Sequence, residues 1–375
     1  MQRLTARAST PLAIVLAAGA AAGLAAAPAA AATRVVEAGP SGKAALEAFA
    51  RASADANTYF RNVTTIRRGD SIRWDINGFH TVTFTPRGDA RPSLIVPDPS
   101  TLISGVNDAA GAPFWFNGQF RVIINPEAAA PQGPRNFRRG EVHNSGLPGE
   151  GPPKPYRLKF NTTGTFRYIC IVHPGMRGTV RVMGRRSAVP SAAAHRRQAR
   201  REQQTLLRRA QRLTTGLGTT RLENTAQAGN DTSDGVAIFK FFPSNLRVAT
   251  NTTVTLRMPP RSTEDHTFTF GPINGKDAYV DQLAASLIQP AAGGSGPPTL
   301  VIEPRAAYPS ENPDSGVPGY DDTSHGNGFY NSGVLDSHRD TPPPAAVRLR
   351  FTKAGTYQYL CAIHPSMRGQ VTVSD

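Results

Sequence analysis

One 19-residue stretch occurs twice in the chain and decides its fold. The copies are Gly164-Thr-Phe-Arg-Tyr-Ile-Cys-Ile-Val-His-Pro-Gly-Met-Arg-Gly-Thr-Val-Arg-Val182 and Gly355-Thr-Tyr-Gln-Tyr-Leu-Cys-Ala-Ile-His-Pro-Ser-Met-Arg-Gly-Gln-Val-Thr-Val373, which align without a gap. His80-Thr-Val-Thr-Phe84 recurs in the same way as His266-Thr-Phe-Thr-Phe270. The offsets of 191 and 186 residues are too long for a solenoid, so the chain is predicted to hold two tandem copies of one domain.

The repeated segments have the composition of β-strands. They are rich in β-branched and aromatic residues, and several alternate polar with apolar side chains, as strands with one wet face do. The chain also holds 35 Gly and 32 Pro, which mark turns and disfavour a helical bundle. Asn144-Ser-Gly146 and Asn331-Ser-Gly333 form a further repeated pair. We therefore predict an all-β fold with one Greek-key β-sandwich in each half.

The first 32 residues have the pattern of a secretory signal peptide. Arg3 and Arg7 precede an Ala-rich apolar run, and Ala30-Ala31-Ala32 offers a cleavage site before Thr33. A membrane anchor is the alternative, which the weak hydrophobicity of Ala and the interruption by Pro28 disfavour. The expectation is a secreted or extracytoplasmic protein, in the periplasm or cell-wall space, with no transmembrane anchor after signal cleavage.

Composition divides the rest of the chain into four segments. We predict an N-terminal lead-in over 33–56, a first domain over 57–184, a basic linker over 185–234 and a second domain over 235–375. Within the linker, Ser191–Leu213 is rich in Arg and is predicted to be a helix, which concentrates part of the net charge of +15 there. The linker is a candidate contact for an acidic partner or an anionic surface, although a solvated spacer whose thin apolar stripe rests on one domain is the simpler interpretation. Nucleic acid is not expected as a partner, because the basic run lacks interleaved aromatic residues.

Both cysteines of the chain lie in the motif Cys-x2-His-x2-Met. Two Cys exclude a disulfide-dense scaffold and any four-Cys zinc or iron–sulfur site. Thiolate, imidazole and thioether together select copper over Mg, Ca or Mn, and one further imidazole would complete the His2Cys set with axial Met of a blue-copper site. His80 and His266 are the candidates for that imidazole, because they occupy equivalent places in the repeat. The two motifs are Cys170-His173-Met176 and Cys361-His364-Met367.

A disulfide between Cys170 and Cys361 is the competing interpretation of the two cysteines. It would have to join the two halves of the chain, and exported proteins often contain such bonds. It would also leave the repeated His and Met residues without a role. The metal-site interpretation is therefore favoured.

Each half resembles a cupredoxin of the plastocyanin and azurin family, with a ligand loop as short as that of amicyanin. The resemblance rests on the His80 and His266 segments and on the Cys-to-Met loops, within about 57–184 and 235–375. It implies one mononuclear type 1 copper per domain, two in total, and an exposed edge of the C-terminal His as the electron exit. About 60 residues separate each upstream His from the Asn-Ser-Gly element, more than a minimal cupredoxin needs. The implied ligand sets are His80, Cys170, His173 and Met176, and His266, Cys361, His364 and Met367.

The predicted function is a secreted electron carrier that shuttles single electrons through Cu(I)/Cu(II) between donor and acceptor proteins that the sequence does not identify. No catalytic residue is assigned. A two-domain copper oxidase or nitrite-reductase-like enzyme is one alternative, but it needs more His ligands, and no His-x-His pair occurs. Extracellular copper capture or buffering is another, and it would use the same ligands. The remaining histidines are expected at the surface, and only a subunit interface would bring some of them together: His143, His195, His325 and His338.

Overall fold

A computed structural model describes residues 31–86, 91–149, 154–218, 222–260, 262–275, 278–291, 299–338 and 344–375. The signal peptide predicted for residues 1–32 therefore lies almost entirely outside the described residues. From Ala31 to Asp375 the chain forms one compact unit. None of the helices in the described ranges is both long enough and apolar enough to cross a membrane.

The described residues are mostly in β-structure. The strands before the long helix are β1 (Thr33–Ala38), β2 (Ala54–Ala56), β3 (Tyr59–Phe60), β4 (Val63–Arg67), β5 (Ser71–Ile76), β6 (Thr83–Phe84), β7 (Ile95–Leu102), β8 (Phe120–Ile124), β9 (His143–Asn144), β10 (Tyr156–Lys159), β11 (Gly164–Ile169) and β12 (Arg177–Met183). The strands after it are β13 (Thr225–Asp231), β14 (Val236–Phe242), β15 (Asn245–Ala249), β16 (Thr253–Arg257), β17 (Thr269–Phe270), β18 (Ile288–Pro290), β19 (Leu300–Ile302), β20 (Gly319–Tyr320), β21 (Tyr330–Asn331), β22 (Ala346–Phe351), β23 (Gly355–Leu360) and β24 (Arg368–Ser374). The α-helices are α1 (Lys43–Arg51), α2 (Pro126–Ala129), α3 (Ala192–Gly218), α4 (Tyr279–Ala285) and α5 (Pro304–Ala307), and short 3-10 turns lie at Pro313–Ser315 and Ser324–Gly326.

Two sheets of the first half enclose a hydrophobic core. Sheet 1 has the order β10-β5-β1-β3, and sheet 2 has the order β4-β12-β11-β6-β9. Alternate residues of β12 are buried, as expected for a strand with one face on a core. Trp74 and Leu158 of sheet 1 pack in one cluster with Phe166, Tyr168 and Val180 of sheet 2. Full burial of each such side chain contributes roughly 1.5–3 kcal/mol to folding.

The second half repeats this plan. Sheet 3 has the order β2-β14-β13-β16-β22-β20, sheet 4 has the order β15-β24-β23-β17-β21, and a second cluster around Phe241, Leu349 and Tyr359 forms their core. The parallel pair β1–β5 has its counterpart in β13–β16, and the parallel pair β4–β12 in β15–β24. β1 and β13 therefore extend the repeat upstream of the predicted boundaries at 57 and 235. Only Ala38-Gly39 and Ala228-Gly229 match between these strands, which is too short a signal to reveal the repeat.

Among the described residues, helices and strands join the two halves at three places. β2, from the predicted lead-in, pairs with β14 of the second half. The long segments that follow His80 and His266 meet in sheet 5, of order β18-β19-β8-β7, where Val301 pairs with Ile123. The third place is α3, which lies in the segment where the sequence predicts a helix.

The apolar stripe of α3 packs on strands of both halves. Leu206 and Ala210 are buried in one cluster with Phe60 of the first half and Val236 of the second. The Arg side chains of α3 are exposed. The segment is thus a basic helix whose apolar stripe rests on both halves, where the spacer interpretation placed it on one domain.

Candidate metal centres

The first candidate centre gathers three side chains from two distant parts of the chain. β6 pairs with β11 through Thr83 and Ile169, which places His80 beside the loop that starts at Cys170. The Nδ1 atoms of His80 and His173 lie 2.9 Å apart, and Cys170 Sγ lies 3.6 Å from His173 Nδ1. The three ligand atoms all lie within 4.8 Å of one another.

The second candidate centre has the same construction. β17 pairs with β23 through Thr269 and Leu360, which places His266 beside Cys361. Cys361 Sγ lies 3.6 Å from His266 Nδ1 and 3.7 Å from His364 Nδ1, and the two nitrogens are 3.2 Å apart. The structure therefore brings together six of the eight side chains predicted as ligands, in two matching groups.

Met176 and Met367 complete the predicted ligand sets. Both are buried, in the same clusters as Cys170 and Cys361 respectively. Each Met carbonyl accepts a hydrogen bond of 3.0 Å from the backbone N–H of its Cys, which closes the loop between the two residues. Axial ligation by these methionines stays a prediction.

The protonation states of the two groups suit a metal. Burial lowers the pKa of His80 and of His364 to about 4, so these imidazoles are neutral near pH 7 and have a free lone pair. Burial raises the pKa of the Cys361 thiol to about 11, and it also raises the pKa of Cys170. Each group therefore brings together two neutral imidazoles and one thiol whose proton a metal can displace. This soft donor set fits copper.

A threonine next to the first histidine supports each sulfur. The backbone N–H of Thr81 donates to Cys170 Sγ at 3.4 Å, and that of Thr267 donates to Cys361 Sγ at 3.3 Å. Each Thr Oγ1 also accepts a 2.8 Å bond from the backbone N–H that follows its cysteine. Hydrogen bonds to the sulfur tune a copper–thiolate site. The repeated His-Thr-x-Thr-Phe pattern is the sequence signal for these threonines, since both recur beside a predicted ligand.

The repeated Asn-Ser-Gly element fixes the strand that follows each first histidine. Ser145 Oγ accepts from Val82 N at 2.9 Å, and Asn144 Oδ1 accepts from Thr83 Oγ1 at 2.9 Å. The second half repeats both bonds at 2.9 and 2.8 Å, with Ser332 and Asn331 as acceptors. These residues therefore hold the His strands in register and act on the sites through them.

A glycine leaves room behind each first histidine. A Cβ on Gly39 would lie 2.7 Å from His80 Nε2, and a Cβ on Gly229 would lie 2.7 Å from His266 Nε2. Both glycines have positive φ, of 79° and 67°. The imidazoles thus pack directly on backbone, which fixes the Nδ1 atoms toward the thiols.

Glu264 lies between the two groups. Its Oε1 is 3.3 Å from His173 Nε2, and its Oε2 is 3.7 Å from His364 Nε2. Asn57 Nδ2 donates to the same carboxylate. Burial raises the pKa of Glu264 well above its ordinary value, and the nearby Asp231 raises it further. Sequence reasoning missed Glu264, because the repeat has Gly78 at the equivalent position.

The exposed histidine edge that the resemblance implies is absent from the first group. His173 is only 7% exposed, because its Nε2 faces Glu264 rather than solvent. The His364 side chain keeps 22% of its surface exposed.

The other histidines differ from their expected surface positions. His143 and His195 are buried, and His195 Nε2 lies 3.2 Å from Thr64 Oγ1. His325 is part-buried and contacts Asp108 and Glu311. No third group of three metal-ligating His, Cys, Asp or Glu side chains occurs among the residues with a described position. Cys170 and Cys361 are free thiols, so the alternative of a disulfide between the halves is not formed.

Comparison with known proteins retrieves copper proteins at low similarity. No protein-family model matches the chain, and no curated protein sequence matches it. Similar solved structures include a reduced Cu(I) form of an amicyanin mutant at pH 4, an oxidised amicyanin mutant, and the oxidised plastocyanin of Dryopteris crassirhizoma. Their identities are 16%, 14% and 16%, and their TM-scores are 0.21, 0.20 and 0.20. Each match covers 40% of this chain, and 82%, 82% and 99% of the other. With scores this low, the case for the sites rests on the side chains described above.

Proposed function

We propose that the chain is a secreted electron-transfer protein with two type 1 copper sites, one in each half. The observation that carries the proposal is the repetition of one ligand geometry, in which two imidazole Nδ1 atoms and one thiol converge at equivalent places of two similar pairs of sheets. Both halves keep these side chains although most other positions of the two halves differ, which supports a shared function.

Each half would be a cupredoxin-like Greek-key sandwich, with β1 and β13 added to the predicted domains. His80, Cys170 and His173 would hold the first copper, with the Met176 thioether as a fourth ligand. The second set would be His266, Cys361, His364 and Met367. When bound, copper supplies a one-electron Cu(I)/Cu(II) couple.

The protein's own groups would serve this couple by holding the site still. His80, His173 and His266 are buried, the first histidine of each group packs on backbone, the sulfurs accept a fixed N–H, and each ligand loop is closed by its Cys-to-Met hydrogen bond. A ligand set that does not rearrange keeps the reorganisation energy of each electron transfer small. Burial also keeps water from the metal, which limits competing chemistry.

Electrons would arrive from a donor protein and leave to an acceptor protein, both unidentified. The exposed Arg residues of α3 form a basic surface that suits an acidic partner or an anionic surface. An oxidase or a nitrite-reductase-like enzyme would need a further metal site, and copper buffering would need no redox partner.

The test is the copper content and visible spectrum of the full chain with its signal removed. We expect two coppers per chain and an intense thiolate-to-copper absorption band. Cys170→Ser and Cys361→Ser should each remove about half of the band, because each deletes one of two similar sites. Met183→Leu, at an exposed Met outside both motifs, is the control and should leave the band unchanged. A band that survives both Cys substitutions would refute the assignment, and a third copper would favour the enzyme.

A further inference from the structure

One buried carboxylate contacts both candidate metal sites. Glu264 Oε1 faces His173 Nε2 and Oε2 faces His364 Nε2, at 3.3 and 3.7 Å. In both histidines Nδ1 faces the thiol, and Nε2, the other nitrogen of the same ring, faces Glu264. The two rings and the carboxylate therefore form a continuous chain of contacts from one group of ligands to the other.

The position of Glu264 is fixed from both halves. Its backbone N–H donates to Asp231 Oδ2 at 3.1 Å and to Ser262 Oγ at 3.2 Å, within the second half. Asn57 of the first half donates to its side chain, and Asn57 N in turn donates to Gly235 O at 2.6 Å. Ordering a long side chain costs conformational entropy. The contacts from both halves offset that cost and hold Glu264 in one position.

Only one half of the repeat supplies this group. The residue equivalent to Glu264 is Gly78, two positions before His80 as Glu264 is two positions before His266. Gly78 has φ 84°, and a Cβ there would lie 3.5 Å from His80 Nε2 and 3.7 Å from Asp55 Oδ2. A second acidic side chain would thus approach Asp55, and the single carboxylate of Glu264 already reaches both C-terminal histidines.

The geometry points to Glu264 as a positioning residue shared by the two metal sites, and to the contact chain His173–Glu264–His364 as the route for an electron between them. The inference rests on the proposed copper function. A metal-bound imidazole usually donates its other N–H to a carboxylate, which fixes the ring and tunes the ligand. One electron leaves the reduced site and enters the oxidised one, so one site is oxidised as the other is reduced, with no atom transferred and no third reactant.

The first test is copper affinity in chains that keep one site, Cys361→Ser for the first and Cys170→Ser for the second. Glu264→Ala should weaken copper binding about 10–100-fold in both. Glu264→Gln keeps an oxygen that can accept a hydrogen bond and should restore most of the loss. Glu47→Ala, at a half-exposed carboxylate on α1, is the control. Gly39→Ala should weaken only the first site and Gly229→Ala only the second, because each reaches one histidine.

The second test follows the electron itself in the doubly loaded chain. Met176→Gln gives the two sites different spectra and potentials, since the axial ligand tunes both. A light flash on a flavin in solution, in the presence of a sacrificial electron donor such as EDTA, gives the flavin semiquinone, which injects about one electron per chain. The electron should then redistribute between the two bands at a rate independent of protein concentration. Glu264→Ala should slow this phase about tenfold or more.

The outcomes separate the two proposals. An affinity loss at only one site, or a redistribution rate that rises with protein concentration, would overturn the link through Glu264 while the copper function stands. Absence of a thiolate-to-copper band in the unaltered chain would overturn both.

Discussion

In the proposed copper sites, the two cysteine thiols are the groups that metal binding would have to deprotonate. Burial raises the pKa of Cys361 to about 11 and raises that of Cys170, while burial lowers the pKa of His80 and His364 to about 4. Near neutral pH each site therefore holds one ligand proton, on sulfur. Metal binding displaces it.

We expect about one proton to be released per copper bound near pH 7, and copper affinity to rise about tenfold per pH unit there. The affinity rises with pH because the thiol pKa lies above 7, and higher pH favours the thiolate that binds copper. Calorimetry in buffers of different protonation enthalpy measures the release. Two or more protons per copper would mean that the imidazoles are protonated in the metal-free chain, contrary to their lowered pKa values.

Sequence reasoning at this scale finds residues that recur. The Cys, His and Met candidates stand out because each has a counterpart in the other half, and the two groups of His and Cys converge as predicted. Glu264 has no counterpart, and His143 and His195 were assigned to the surface only because they lack one. The contact of one carboxylate with both groups depends on how the halves pack, which a repeat within each half does not encode.

At the scale of the element, the glycine of the repeated Met-Arg-Gly sequence has a packing role. The Tyr168 ring of β11 lies on Gly178 of β12, where a Cβ would be 2.1 Å from the ring Cζ. Tyr359 and Gly369 repeat this arrangement in β23 and β24, where the corresponding distance is 2.6 Å. A side chain here would push the tyrosine into the core beside the cysteine strand.

Gly178→Ala should therefore destabilise the protein by about 1–3 kcal/mol, because overpacking a filled core forces strained side chains. Urea unfolding of the metal-free chain measures the change. Gly184→Ala is the matched control, since a Cβ there meets only Ser187 Oγ at 3.4 Å. Equal stabilities of the two variants would show that the tyrosine ring moves aside freely.

The strands of the repeated motifs follow from period-2 patterns, and β6, β11, β17 and β23 lie within segments predicted to be strands. β1 and β13 are not predicted from the sequence, because small and polar residues on their buried faces obscure the alternating apolar pattern of a strand. Sheet 5 is not predicted for another reason. Its strands come from two segments that do not resemble each other, and β7 is largely exposed.

At the scale of the whole molecule, His325 joins the two long inserted segments. Its Nδ1 lies 3.1 Å from Asp108 of the first segment, and its Nε2 lies 2.7 Å from Glu311 of the second. Burial alone would lower the pKa of His325, but hydrogen bonds and charge from Glu311 and Asp108 outweigh it, so the pKa is raised above 6.5.

A histidine whose pKa is raised by folding stabilises the folded state below the pKa of the unfolded chain. That contribution is lost as pH rises through the raised value. His325→Ala should therefore cost about 1–3 kcal/mol near pH 6 and less near pH 9. Urea unfolding at both pH values, in a double-mutant cycle with Glu311→Gln, isolates the interaction free energy between His325 and Glu311. A loss that is the same at both values would mean that the imidazole is not charged in the folded protein.

Sheet 5 makes each half of the chain depend on the other. Its inner strands, β8 and β19, come from opposite halves, so each copy completes its sheet only with the other. A half produced alone would present a naked strand edge with exposed Phe120 beside it, a surface prone to unwanted self-association. The two similar halves depend on each other through this sheet, and separating them should yield aggregating fragments rather than two stable half-chains.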